Sequence, residues 1–330
     1  MISHRSMLGK QLSRRLACFD WLVQPIPNPS TARAILFADL DGTLLGDDDA
    51  RKEFIKYWLV FEQKHNGLLI YNTGRPWTKV REWIARKKLL SCAWAICNQG
   101  ANVYKEGSLW EPWETKLRST GFTLSLVDYI EDWLKAFSVE DLACMSLWVE
   151  REDFHLRCGI RCESKSSSFE ECILVYLKIA KDLNGLRLPG CWLNVWTVDD
   201  LRTWFSDEDS WRVYGLVFDV GPAFSMGSKA PAAEFLLEHV QRERGSQTVR
   251  GVWAGDGEND VHLVSSRIGA GIVVANACQE LKDAAKSDAV QGYVYMTQRS
   301  KAAGVVEGLK WLFEAGPSLP WRMPDKAGSA

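Results

Sequence analysis

From Ala32 onward, short apolar runs alternate with longer stretches in which apolar residues recur every three or four positions. The short runs have the length of buried strands, and the longer ones have the period of helices packed on one face. Ala34–Ala38 is the first apolar run, and it ends on Asp39. The acids Asp47 to Asp49 suit the positive start of a helix, which the pattern predicts from about Arg51 to His65. Gly67–Tyr71 reads as a second strand, running into Asn72-Thr73-Gly74-Arg75, and a helix follows from Pro76 to about Lys88. Trp94–Cys97 reads as a third strand. The alternation resumes with a helix from Lys229 to about Arg244. The strand Val249–Ala254 then ends at Gly255-Asp256, the strand Ile268–Val274 follows, and a helix from Ala302 to Phe313 closes the pattern. Strands alternating with helices predict an α/β fold with a doubly wound parallel sheet.

Between Trp113 and Trp211 the regularity is lost, so residues 113–211 are expected to form an inserted α+β domain that divides a core of 34–112 and 212–315. Residues 316–330 carry three Pro and no periodicity, and are expected to be a tail. Residues 1–33 place Arg5, Lys10, Arg14 and Arg15 among serines, with Leu8, Leu12 and Leu16 spaced four apart. This extension reads either as an amphipathic organelle-targeting segment or as a surface helix or disordered tail.

Composition narrows the function. Forty basic residues against 42 acidic ones leave no positive field to hold nucleic acid, which favours a small-molecule substrate. There is no apolar run long enough for a membrane span. Nine Cys without regular spacing and no export signal point to reduced thiols in an intracellular, cytoplasmic protein. His155, Cys158, Cys162, Cys172 and Cys191 lie in one region and raise the alternative of a zinc site. The 16 Trp are expected mostly in the core.

Ligands of open parallel sheets bind at the carboxyl ends of the strands, so polar residues that end apolar runs carry weight. Asp39 and Asp41 end the first run, Thr73 the second, and Asp256, Asn259 and Asp260 the run at Val249–Ala254. A parallel sheet would gather these carboxylates from segments more than 200 residues apart. Gathered acids repel and need a cation, and oxygen ligands without His or Cys suit Mg²⁺.

Four segments then stand in a telling order: Asp39-Leu40-Asp41-Gly42-Thr43, Thr73-Gly74-Arg75, Lys229, and Gly255-Asp256-Gly257-Glu258-Asn259-Asp260. Together they resemble the four motifs of the haloacid-dehalogenase superfamily of phosphohydrolases. An insertion of roughly 150 residues between Thr73 and Lys229 matches the place of that superfamily's type-2 (C2B) cap. A finer resemblance is to the sucrose-6-phosphate phosphatase family, carried by Gly46-Asp47-Asp48-Asp49, by Asn72-Thr73-Gly74-Arg75 and by Lys301-Ala302-Ala303-Gly304. Gly42 and Gly257-Glu258 depart from that family's usual residues.

The resemblance implies a Mg²⁺-dependent hydrolase of sugar phosphates, sucrose 6-phosphate foremost, working through an aspartyl phosphate. Asp39 would be the nucleophile and Asp41 the general acid and base. Mg²⁺ would lie among Asp39, the Asp41 carbonyl and Asp256, with Asp260 beside it. Thr73, Gly74 and Lys229 would hold the phosphoryl group, and Arg75 and Asn259 would reach phosphate or sugar. A sucrose-phosphate synthase is the partner implied. The alternatives are another phosphosugar phosphatase (Cof-type or acting on a compatible-solute precursor), a phosphomutase, or a non-catalytic sugar-phosphate binder.

Overall fold

The computed structural model of the chain describes residues 32–136, 145–162, 168–188, 191–194, 216–222, 229–243, 249–287 and 293–315. The extension up to residue 31 and the tail from 316 lie outside the described residues.

Eight strands form the main sheet: β1 (Ala34–Ala38), β2 (Gly67–Asn72), β3 (Trp94–Cys97), β4 (Asn102–Lys105), β5 (Ser108–Leu109), β10 (Arg250–Gly255), β11 (Gly269–Val273) and β12 (Val294–Met296). Their spatial order is β12-β11-β10-β1-β2-β3-β4-β5, parallel from β12 to β3 and antiparallel beyond. Side-chain alternation along the strands builds two cores. Ile35, Phe37, Leu68, Ile70, Ile96 and Trp253 face one side and pack with Ala232 and Leu236 of α6 (Ala230–Glu243). Leu36, Ala38, Leu69, Tyr71, Val252 and Ala254 face the other. There they meet Phe54 and Trp58 of α1 (Asp48–His65) and Val305 and Leu309 of α9 (Lys301–Lys310). Trp58, Trp94, Trp113 and Trp253 are fully buried, in keeping with a core role for tryptophan.

The expected strands β1, β2, β3, β10 and β11 are all present, and the helices start and stop a few residues from their expected bounds. Helix α1 begins at Asp48 because Asp47 caps it, its carboxylate accepting from the amides of Asp49 and Ala50 at 3.0 and 2.9 Å. Pro76 caps α2 (Trp77–Ala85) instead of entering it. The short β4–β5 hairpin, α7 (Val261–Val264), α8 (Gln279–Ala285) and β12 are additions, too brief for periodicity to show.

A second, four-stranded antiparallel sheet has the order β6-β7-β9-β8, from β6 (Met145–Glu152), β7 (His155–Cys162), β8 (Cys191–Asn194) and β9 (Leu216–Pro222). Helices α4 (Leu124–Lys135) and α5 (Phe169–Gly185) bury the face carrying Leu156, Cys158 and Ile160. The inserted unit is thus shifted from the expected 113–211. Strand β9 belongs to the small sheet, so that sheet extends to Pro222. Helix α3 (Glu111–Ser119) belongs with the main sheet, since Trp113 donates to the Ala101 carbonyl at 3.2 Å and packs on Phe235 of α6.

Strand β10, which leads into the last acidic segment, approaches β11 closely: a Cβ on Gly251 would lie 2.0 Å from the Ile268 carbonyl oxygen. Gly251→Ala should therefore destabilise the chain by about 1–3 kcal/mol or more by forcing backbone apart. Urea unfolding measures this, and an unchanged midpoint would contradict the packing described.

Candidate active site

Strands β1, β2 and β10 are immediate neighbours with β1 in the middle, and all three point the same way. Their carboxyl ends therefore deliver Asp39, Thr73 and Asp256 to one edge. The Asp39 amide continues the ladder to the Ala254 carbonyl at 2.9 Å, after which the chain turns back through bonds from the amides of Leu44 and Leu45 to the Leu40 carbonyl. Gly42 makes this turn possible. Its φ is +74°, and a Cβ there would lie 2.0 Å from Asp256 Oδ2. Thr43 then donates its hydroxyl to Asp256 Oδ1 at 2.8 Å, fastening the turn to β10.

Lys229 is the centre of the site. Fully buried just ahead of α6, its ammonium donates to Asp39 Oδ1 at 2.6 Å and to Asp260 Oδ1 at 2.8 Å. Asp260 is also fully buried, and its Oδ2 accepts the amides of Asp256 and Gly257 at 3.1 and 3.2 Å. Burial pushes the Asp39 carboxyl up to about 8; Lys229 opposes the shift, while Asp260 and Asp256 add to it. Asp256 is likewise raised, by burial foremost. Burial pulls the Lys229 ammonium down, but Asp260 and Asp39 outweigh it and hold the lysine above its usual range. The acids are short of positive charge, and the lysine is firmly protonated.

Three carboxyl groups share one ammonium, and a divalent cation would offset the repulsion among them. Ligand oxygens of Asp39, Asp256 and Asp260 all lie within 4.8 Å of one another, and among the described residues no other such cluster of His, Cys or acids occurs. The donor set is all oxygen, which fits Mg²⁺. Asp260 is fully buried and already accepts three hydrogen bonds, from Lys229 and from two amides, so Asp39 and Asp256 are better placed as direct ligands, with Asp260 orienting them.

Thr73 is buried, and its Oγ1 accepts the Arg75 amide at 3.1 Å, which leaves its own proton to donate. Arg75 forks onto Asp41, Nε to Oδ2 at 2.7 Å and Nη2 to Oδ1 at 3.2 Å, with both side chains about half exposed. The reading of the sequence placed Arg75 against substrate and left this pair unseen. Asn259 lies beside Gly74, where a Cβ would sit 3.7 Å from its Nδ2. Asn98 and Gln99, both in the left-handed region, close the turn beneath them through bonds to Arg75 and Thr73. Asn276 is a site neighbour the sequence reading missed: its Nδ2 donates to the Gly42 carbonyl at 2.9 Å and to Asp256 Oδ2 at 3.3 Å. It follows the apolar run Ile268–Val274, and the strand-end rule that selected Asp39 and Asp256 would have found it.

The zinc alternative is not gathered among the described residues. His155 and Cys158 point to opposite faces of β7, and His155 instead meets Asp219 at 3.2 Å. Cys92, Cys97, Cys158, Cys172, Cys191 and Cys278 are thiols and not disulfides. Burial pushes Asp219 up, but His155 and Arg157 outweigh it and hold it at about 2.

A model of the sucrose-6F-phosphate phosphohydrolase family matches residues 32–139 and 214–313, well over half of the chain. The chain belongs to that family. The unmatched stretch, 140–213, falls within the inserted unit. A probable sucrose-phosphatase 3a of Arabidopsis thaliana is 26% identical over 295 residues, covering 87% of this chain and 61% of the relative. The chain thus spans less than two thirds of that relative's length. The sucrose-phosphatase of Synechocystis, solved with sucrose and phosphate, has a similar fold at 19% identity and a TM-score of 0.56, over 84% of this chain and 97% of that one. A haloacid dehalogenase-like hydrolase of Bacillus subtilis matches at 16% identity and a TM-score of 0.52, over 91% and 98% of the two chains. Family and fold thus agree with the order of the four motifs. No helix among the described residues is long and apolar enough to cross a membrane.

Lys229→Met removes the one cation that holds Asp39 and Asp260 together, so it should cost about 3–5 kcal/mol. Thermal unfolding in EDTA and in Mg²⁺ reads this. Part of the loss should return with Mg²⁺; an unaltered midpoint in EDTA would mean that the ion pair does not organise the fold.

Proposed function

We propose that the chain is a Mg²⁺-dependent phosphatase of sugar phosphates, sucrose 6-phosphate foremost, working through an aspartyl phosphate on Asp39. The buried Lys229 bridging Asp39 and Asp260, with Asp256 alongside, carries this reading. Lys229 occupies Oδ1 of Asp39 and leaves Oδ2 for attack. An Oδ2–P bond forms as the P–O bond to the sugar breaks, and Asp41 gives its proton to the departing sugar oxygen. Water then attacks phosphorus, its proton passes to Asp41, and the Asp39–P bond breaks to release phosphate.

Arg75 engages both Asp41 oxygens here, so it must turn toward the substrate phosphate or sugar to free Asp41 to carry the proton it gives. Thr73, with the Gly74 amide, donates to the phosphoryl oxygens, and Lys229 neutralises their charge. The Mg²⁺ ion, held by Asp39, Asp256 and the Asp41 carbonyl, would add Lewis-acid polarisation of the phosphoryl group.

The inserted unit acts as a cap that selects the sugar. The tip of its β6–β7 hairpin is tied to the main sheet where Tyr104 donates to Asp153 at 2.9 Å. The face opposite α4 and α5 carries Arg157, whose Nε donates to Asp219 at 2.9 Å. On the same face Trp148 lies over Gly159, where a Cβ would meet the indole at 2.5 Å. An aromatic plane beside a fixed guanidinium suits a sugar ring and its hydroxyls. Association with the synthase that makes the substrate belongs to the same reading.

Purified full-length protein should release phosphate from sugar phosphates in Mg²⁺ and none in EDTA, with sucrose 6-phosphate the best of a broad panel. Preference for another phosphosugar would move the chain to a different substrate within this chemistry, whereas no release by folded protein would overturn the reading. Asp39→Asn should lower turnover by about 10³-fold or more while leaving the far-ultraviolet circular dichroism unchanged.

A further inference from the structure

Asn72 ends β2 with 1% of its surface exposed, and neither its Oδ1 nor its Nδ2 has a hydrogen-bond partner. Asn102, by contrast, pairs one end of its amide, its Oδ1 accepting from Asn98 Nδ2 at 3.0 Å. Leaving a buried polar group unpaired is costly, so an amide unpaired at both ends calls for an explanation.

Its position supplies one. Ala38 of β1 pairs with Tyr71 of β2, so Asp39 and Asn72 occupy the next level on adjoining strands, about 4.8 Å apart. Asn72 shares the side-chain face of Leu68 and Ile70, as Asp39 shares that of Ile35 and Phe37, and these four residues lie in one core cluster. That is the side on which α6 packs and from which Lys229 reaches Asp39. Thr73 is the next residue in the chain. The amide therefore lies on the same face of the sheet as the nucleophile and the buried ammonium.

We propose that Asn72 is a phosphate-binding residue of this site. Its Nδ2 donates to a peripheral phosphoryl oxygen, and its Oδ1 accepts from the hydroxyl of a protonated phosphate, such as the product before release. A hydrogen phosphate ion, with several acceptor oxygens and a hydroxyl donor, satisfies both ends of the amide at once. The inference rests on the phosphatase reading and adds a neutral ligand to the charged ones. An amide kept for binding is a liability in the empty protein, so its removal should separate stability from affinity.

Asn72→Leu keeps the approximate size and removes both polar atoms; Asn72→Ser is the second variant should the leucine not fold. With full-length protein in Mg²⁺, calorimetry of inorganic phosphate should show binding weakened tenfold or more in either variant. Mg²⁺ affinity should stay within twofold of wild type, and the ligand-free thermal midpoint should be equal or higher. Phosphate affinity within twofold of wild type would overturn the role of Asn72, whatever the midpoint does. Wild-type protein that binds no phosphate would overturn the phosphatase reading and this inference with it.

Discussion

A single ammonium group organises this site. Lys229 is buried completely, and a buried charge is tolerated only where its partners are fixed and close. Asp39 and Asp260 meet that condition from the segments that follow β1 and β10, 190 and 31 residues away in sequence. Asp260 passes the constraint on: with one oxygen on Lys229, it uses the other to hold the amides of Asp256 and Gly257, and so sets the direction in which the Asp256 carboxylate leaves β10. There is no slack in this arrangement. A Cβ on Gly255 would lie 2.4 Å from the Asp260 carboxylate, and one on Gly42 would strike Asp256. The glycines beside the acids are thus part of the electrostatics, since they let charged groups approach closely enough to share one lysine.

The fold supplies what the lysine requires. Placing β1 between β2 and β10 brings three strand ends together at the point where the order of the parallel sheet turns, the usual ligand crevice of such sheets. The two-sided packing of β1 then decides the fate of its last residue. Leu36 and Ala38 face α1 and α9, Ile35 and Phe37 face α6, and Asp39 falls on the α6 side, where Lys229 waits. A shift of one residue in register would turn Asp39 to the other face. The inserted sheet emerges after this core is nearly half built and returns before Lys229, so it adds a second surface without interrupting the strands that hold the acids.

Much of this was legible in the sequence, for a physical reason. Strands buried on both faces are nearly continuous apolar runs, so the polar residues that end Ala34–Ala38, Gly67–Tyr71 and Val249–Ala254 stand out. Where periodicity fails, so did the reading. Strand β9 is separated from its partners β7 and β8 by long intervals, and only pairing shows that it belongs to the inserted sheet. Helix α3 was assigned to the insertion because irregular sequence surrounds it, while Trp113 ties it to the core. Side-chain pairing across loops is equally silent in one dimension. Nothing in Asp41 or Arg75 alone announces their fork, and nothing in Asn72 announces an amide without partners.

The central claim is that Asp39, held by Lys229, becomes covalently bonded to phosphorus. Acid-quenching the enzyme during turnover of a sugar phosphate it hydrolyses, then reducing with borohydride, converts an aspartyl phosphate to homoserine. Peptide mass spectrometry should find that conversion at Asp39 alone, and only when substrate and Mg²⁺ are both present. Phosphate release with an unmodified Asp39, or modification at another carboxylate, would contradict the account.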